Sequence, residues 1–174
     1  MTGTRPQPFR VLSVDPTTCG VGYAVLERRS RLVDWGIKRV KGDDKNGRSA
    51  KAVAGLLRWY APDLLAVEDC SGPGGRRCPR VRALIKDLEK VANTRKVRTA
   101  RIGPRHVREI CAGSRTANKE QVARALAVRF PELERRLPPH RKPWMSEDVR
   151  MAIFDAVALA VACFDRGSVS AKSR

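Results

Sequence analysis

The chain predicts an α/β domain, a central mixed five-stranded sheet with helices on both faces, and two observations carry that prediction. Residues 10–40 hold three consecutive strand-like segments joined by short turns, the pattern of an antiparallel meander. Beyond them, segments with apolar residues at helical spacing alternate with short apolar strands, so the order reads βββαβαβ followed by helices.

Residues 10–15 alternate as a strand that ends on Asp15. Val21, Tyr23 and Val25 alternate with Gly22, Ala24 and Leu26 over 20–28, and Leu32, Trp35, Ile37 and Val40 mark a third strand over 31–40. The stretch GDDKNGRS is a polar break. Ala52, Val53, Leu56, Leu57 and Tyr60 then fall at helical spacing until Pro62 ends the helix. Leu64 to Val67 is apolar on both faces, the mark of an internal strand covered by helices.

After the Gly-, Pro- and Arg-rich loop SGPGGRRCPR, Val81, Leu84, Ile85, Leu88 and Val91 predict a helix, and 97–102 a strand. Pro104 suits the first turn of a helix through 112, with Gly113 where a C-terminal glycine is favoured. A helix over about 117–129 follows, then the basic, Pro-rich connection PELERRLPPHRKPW. Ser146 is the expected N-cap of a last helix running to about 164. The expectation is one domain over 10–165, a flexible lead-in over 1–9 and a disordered tail over 166–174.

Lys and Arg number 36 against 18 Asp and Glu, a net +18 spread along the whole chain, and a field of that sign attracts a phosphate polymer. A membrane surface is the weaker partner, because the sequence has no basic amphipathic helix with a bulky apolar face and no apolar run near 18 residues. Cys19, Cys70, Cys78, Cys111 and Cys163 are scattered, with no Cys-x-x-Cys pair, which predicts reduced thiols and a cytoplasmic location. With only His106 and His140 beside them at no zinc-finger spacing, structural zinc is not expected.

Three carboxylates stand inside hydrophobic elements: Asp15 and Glu68 at strand ends, and Asp155 in the apolar helix IFDAVALAVACF. An ionised acid is costly to bury unless a cation or hydrogen bonds compensate it, and a hard divalent metal is the simplest common compensation. Val11, Ser13 and Asp15 share one side of their strand, as do Leu64, Ala66 and Glu68 of theirs, so adjacent strands would bring the two acids together. A pair of Mg²⁺ ions, with Mn²⁺ as a substitute, would suit carboxylates that handle a phosphodiester.

These segments resemble the RuvC family of Holliday junction resolvases in the RNase H-like superfamily. VDPTTCGVGYAVLE is similar to the family's first motif and DLLAVED to its second acidic strand. PRHVREICAGSRTANKEQV resembles its Arg-x-Val and Lys-x-Gln-Val segment, and FDAVALAVA its closing helix. All four fall in family order. The resemblance implies an RNase H-like fold and a metal-dependent endonuclease, acting as a homodimer that cuts branched DNA. It implies Asp15, Glu68 and Asp155 as metal ligands and Lys119 as a phosphate contact, with Arg108 in a place where the family often has a basic residue. Further nucleic-acid contacts are expected from Arg76, Arg77 and Arg80 in the Gly-rich loop, from Arg105, and from Arg141 and Lys142 in the Pro-rich connection.

The chain departs from the family pattern in two places. Ala152 stands three residues before Asp155, where the family has another carboxylate or a His. Asp148 is a candidate substitute, since 148, 152 and 155 would share a helical face, although 148 and 155 would be about 10.5 Å apart along the axis. Its other reading is an Asp at a helix N-terminus. Ser71 and Gly72 replace the family's stacking aromatic. Asp69 and Glu147 are expected to face outward. Trp35, Trp59 and Trp144 are expected mostly in the core, with base stacking as a second reading for Trp144. Two rival functions accompany the resolvase reading: a nuclease acting on RNA or RNA:DNA hybrids, and a catalytically inactive nucleic-acid-binding module.

Overall fold

A computed structural model describes residues 7–72 and 77–165. The elements are β1 (Arg10–Thr17), β2 (Gly20–Glu27), β3 (Arg31–Arg39), α1 (Lys45–Tyr60), β4 (Leu64–Glu68), α2 (Pro79–Thr94), β5 (Arg98–Ile102), α3 (Pro104–Ala112), α4 (Lys119–Arg129), a 3₁₀ turn (Pro131–Arg136) and α5 (Met151–Asp165). The sheet order is β3-β2-β1-β4-β5. β1, β2 and β3 pair antiparallel, as the short turns between them require, and β4 and β5 join in parallel through the helical crossovers.

Alternation along β1 divides the protein into two cores. Leu12 and Val14 face α1 and α2, where they pack with Leu65, Val67, Val53, Leu57, Leu84 and Leu88. Val11 faces the other way with Leu64 and Ala66, against α4 and α5. Asp15 and Glu68 therefore belong to the α5 side by the same period of two. In α5 every residue but Asp155 and the terminal Asp165 is buried, so this helix is an internal element and Asp155 is its one polar interruption before the end.

Two contacts fix α5 on the sheet. The buried Ser13 hydroxyl donates to the Ala156 carbonyl at 2.6 Å, and the helix backbone at Ala152 lies against Gly22 of β2. A Cβ added at Gly22 would stand 2.3 Å from the Ala152 carbonyl oxygen, so glycine is required there for close approach.

The structure corrects several expectations. α5 begins at Met151, not near Ser146; a turn leads into it, in which the Asp148 carbonyl accepts from Met151 N and the Asp148 carboxylate accepts from Arg150 N at 2.9 Å. α1 starts inside the stretch read as a polar break, since Asp44 accepts from Gly47 N at 2.9 Å and provides the N-cap. Trp59 and Trp144 are 81% and 78% exposed, not core residues; Trp35 is partly buried. Phe9, placed in the flexible lead-in, packs edge-on against Phe164 with ring centroids 6.0 Å apart. The remainder of the lead-in before residue 7 and the tail over 166–174 lie outside the described residues. Among the described residues no helix is long and apolar enough to cross a membrane.

Gly22→Ala should lower stability by about 1–3 kcal/mol, the range for overpacking a tight contact. Urea denaturation measures it, and an unchanged midpoint would contradict this packing of α5 on β2.

Candidate active site

Asp15, Glu68 and Asp155, drawn from β1, β4 and α5, line one cavity of about 240 Å³ together with Arg77, Arg108 and Lys119. Each acid arrives by a separate structural cause. Asp15 continues the α5-facing side of β1 and is only 4% exposed. Glu68 is the last residue of the parallel strand β4, at the carboxyl end where such sheets open. Asp155 is one residue short of the carbonyl that Ser13 holds, so β1 sets its position along the sheet.

Two cations stand among the acids. Arg77 donates to Asp15 at 2.6 Å and through Nε to Glu68 at 2.7 Å. Lys119 donates to Asp155 and to Glu147, each at 2.7 Å. The head of α4 is set by a reciprocal capping box: Asn118 accepts from Gln121 N, and Gln121 accepts from Asn118 N, both at 2.8 Å. Lys119 is thus the first residue of a firmly capped helix, aimed into the cavity.

Four carboxylates share these two paired cations, a deficit of two charges when all are ionised. The electrostatics record it. Burial, and then the neighbouring Asp155 carboxylate, push Asp15 up to about 7, against the pull of Arg77 and Lys119. Burial likewise raises Asp155, with Lys119 pulling it down. Burial opposes the charged form of Lys119, but Asp155 and Glu147 outweigh it and raise its pKa, so the ammonium stays protonated. Arg77 is raised in the same way by Asp15 and Glu68 against its own burial.

The donor set fits a hard divalent cation in chemistry, since all four groups are carboxylates, and in charge, since one such ion fills the deficit. The side chains are not yet gathered around one: among the described residues no three His, Cys, Asp or Glu side chains form a metal-holding group. Arg77 bonds the same oxygens an ion would take, so guanidinium and ion compete for them.

The other sequence-predicted residues divide. Arg108 lines the cavity. Arg77 belongs to the acid cluster itself instead of standing free for nucleic acid. Arg80 donates to the Thr17 carbonyl at 2.8 Å and to Asn46 at 3.1 Å, which ties the start of α2 to the β1–β2 turn. Arg105 is exposed. Arg141 donates to the Met145 carbonyl at 2.6 Å, and Lys142 lies 5.4 Å from the Trp144 ring centroid; neither lines the acid cavity. Arg76 lies outside the described residues.

Asp148 is not on the helical face that its spacing suggests, because it precedes the helix; its carboxylate is held by Arg150, which lowers its pKa, and it lines the neighbouring grooves and not this cavity. Glu147, expected to face outward, is exposed, and it also pairs with Lys119 as the fourth acid of the cluster. Periodicity had no means of finding it, because it sits in an irregular segment before α5.

No family model and no curated protein matches the chain. Solved structures do. RuvC of Thermus thermophilus superposes with a TM-score of 0.70 at 20% identity, over 93% of this chain and 97% of that one. T. thermophilus RuvC in complex with a Holliday junction substrate gives 0.69 at 20% identity, over 93% and 96%. The chain has a RuvC-like fold.

In metal-free protein the raised Asp15 pKa means that the folded state holds a proton the unfolded chain has released. Stability therefore falls as pH rises from the ordinary carboxylate range toward about 7. Asp15→Asn should be stabilising in EDTA at pH 8 and much less so at pH 4. Thermal melts across pH check this, and a difference independent of pH would contradict it.

Proposed function

Proceeding from the RuvC-like fold, we propose that this protein is a metal-dependent endonuclease that hydrolyses phosphodiester bonds in branched DNA of the four-way junction kind. The observation that carries the proposal is the cluster of Asp15, Glu68, Asp155 and Glu147, two charges short of compensation, in a protein whose net charge is +18. A basic surface draws in the phosphate backbone, while the acids give a local site for Mg²⁺ or Mn²⁺. The solved relative in complex with a Holliday junction substrate supports the choice of DNA form.

Asp15, Glu68 and Asp155 would hold the ion, with Arg77 giving up the oxygens of Asp15 and Glu68. When bound, a divalent ion supplies concentrated positive charge as a Lewis acid toward water and phosphate oxygens. The chain's own groups do the rest. Lys119, kept protonated by Asp155 and Glu147, is placed to donate to a phosphoryl oxygen as negative charge grows on it. Arg108, on the cavity wall without an ion pair among the described residues, is available to a phosphate next to the scissile one. Displacement splits the P–O bond, leaving a phosphate monoester on one side and a hydroxyl on the other. A homodimer would present two such sites, suiting paired cuts.

Two observations favour the inactive-module reading: Ala152 brings no acid to the site, and Arg77 already pairs with two of the acids present. A labelled four-way junction decides between them. With Mg²⁺ the wild type should nick the junction in preference to linear duplex, RNA:DNA hybrid and single-stranded RNA, and Asp15→Asn should abolish cutting while keeping binding. Binding with no metal-dependent nick would overturn the enzyme reading. Lys119→Ala should slow cutting by roughly 10²–10³-fold, the usual cost of removing one group that stabilises developing charge. Single-turnover rates on saturating enzyme measure it, and an unchanged rate would remove Lys119 from the reaction.

A further inference from the structure

We infer that the exposed cations of the β3–α1 connection form a track for the phosphates of duplex DNA, leading out of the acid site on the side away from α3 and α4. The inference rests on the nuclease reading for the choice of DNA, and on separate residues for the surface.

The acid cluster opens in two directions. One is the cavity toward Arg108 and Lys119. The other is a trough of about 410 Å³ that shares Asp15 and Arg77 with it and runs past Thr17, Thr18 and Arg80 along the tip of the β1–β2 turn. The outer wall of that turn is stitched to the head of α1. Asn46 donates to the Arg80 carbonyl at 3.1 Å, Arg80 donates back to the Asn46 side chain, and Lys45 Nζ donates to the Thr18 carbonyl at 3.3 Å. The beginning of α1 therefore has a fixed place beside the trough.

Beyond it stand Arg39, Lys41 and Arg48, all exposed and none in an ion pair among the described residues. Arg39 is opposite Gly20, which is opposite Thr17, so it lies two strand spacings from the turn. Combining about 7 Å from Asp15 to Thr17 with about 10 Å across the strands puts it about 12 Å from Asp15. At about 3.4 Å of helix axis per phosphate on one strand, that reach covers roughly three to four phosphates.

Among the described residues Arg39, Lys41 and Arg48 have no ion pair within the fold that would explain them; of the cations here Lys45 has a fold contact, to the Thr18 carbonyl. Lys45 and Arg48 occupy the first turn of α1, where the helix dipole disfavours positive charge. Asp44, the nearest capping acid, uses its carboxylate on Gly47 N. A run of like charges held against a helix's positive end lowers stability, and a bound polyanion is the partner that reverses the sign of that effect.

The test is DNA binding in EDTA, measured by fluorescence anisotropy from 50 to 300 mM salt. It compares wild type, the triple variant Arg39→Ser, Lys41→Ser, Arg48→Ser, and a control triple, Arg58→Ser, Lys90→Ser, Arg95→Ser, at the opposite end of the sheet. The track predicts that the slope of log K against log salt becomes shallower by about 2–3 in the first triple, at roughly 0.9 for each phosphate left without its cation. The control should keep the wild-type slope. Equal slopes in the two triples would overturn the track, as would single-stranded RNA outcompeting the duplex. The two readings fail separately. Junction nicking by a first triple of unchanged slope removes the track and leaves the nuclease; a shallower slope in a protein that never nicks leaves the track and removes the nuclease.

Discussion

Like charges buried together are the constraint on which this structure turns. Asp15, Glu68 and Asp155, with the exposed Glu147 beside them, stand around Arg77 and Lys119, and burial of the first three weakens the screening that would otherwise let them coexist. The contrast within the chain is Glu27, also buried, which sits on β2 at the far end of the sheet and is paired with both Arg10 and Arg31. Glu27 is a satisfied structural acid. The cluster is undercompensated; burial raises the carboxyl pKa of Asp15 and Asp155, and the neighbouring carboxylates add to it against the pull of Arg77 and Lys119.

The fold serves to hold the acids at that separation. A period of two along β1 and β4 places two of them on the α5 side, and the Ser13 hydroxyl sets the third by gripping the helix one residue beyond it. The chain's departure at position 152 lies within the same packing. Ala152 is pressed on Gly22, where a Cβ on Gly22 would have no room, and Glu147 reaches Lys119 from the segment before the helix. Arg77 then closes the other half of the cluster from the start of α2.

Much of this was legible in the sequence for reasons that are local. Strand alternation, Pro104, Gly113 and the uniform apolarity of α5 are near-neighbour signals, and they placed the sheet, the helices and the three principal acids. What was not legible depended on partners distant in the chain. Asp148 reads equally as a ligand or as a cap until the helix start is known, and the start at Met151 leaves it in the turn before the helix, bonded to Arg150. Arg77 looks like any other arginine of a basic loop until Asp15 and Glu68 are brought to it. Trp59 and Trp144 carry the composition of core residues and stand exposed, and nothing in the structure explains why tryptophan occupies either position.

The most direct measurement of the central claim is Mn²⁺ binding by electron paramagnetic resonance, on wild type and on Asp15→Asn, Glu68→Gln and Asp155→Asn singly. One shared site two charges short predicts saturable binding that each of the three substitutions weakens by an order of magnitude or more, with Arg77→Gln strengthening it by removing the competing guanidinium. No saturable binding by the wild type, or affinities that the three substitutions leave unchanged, would contradict it.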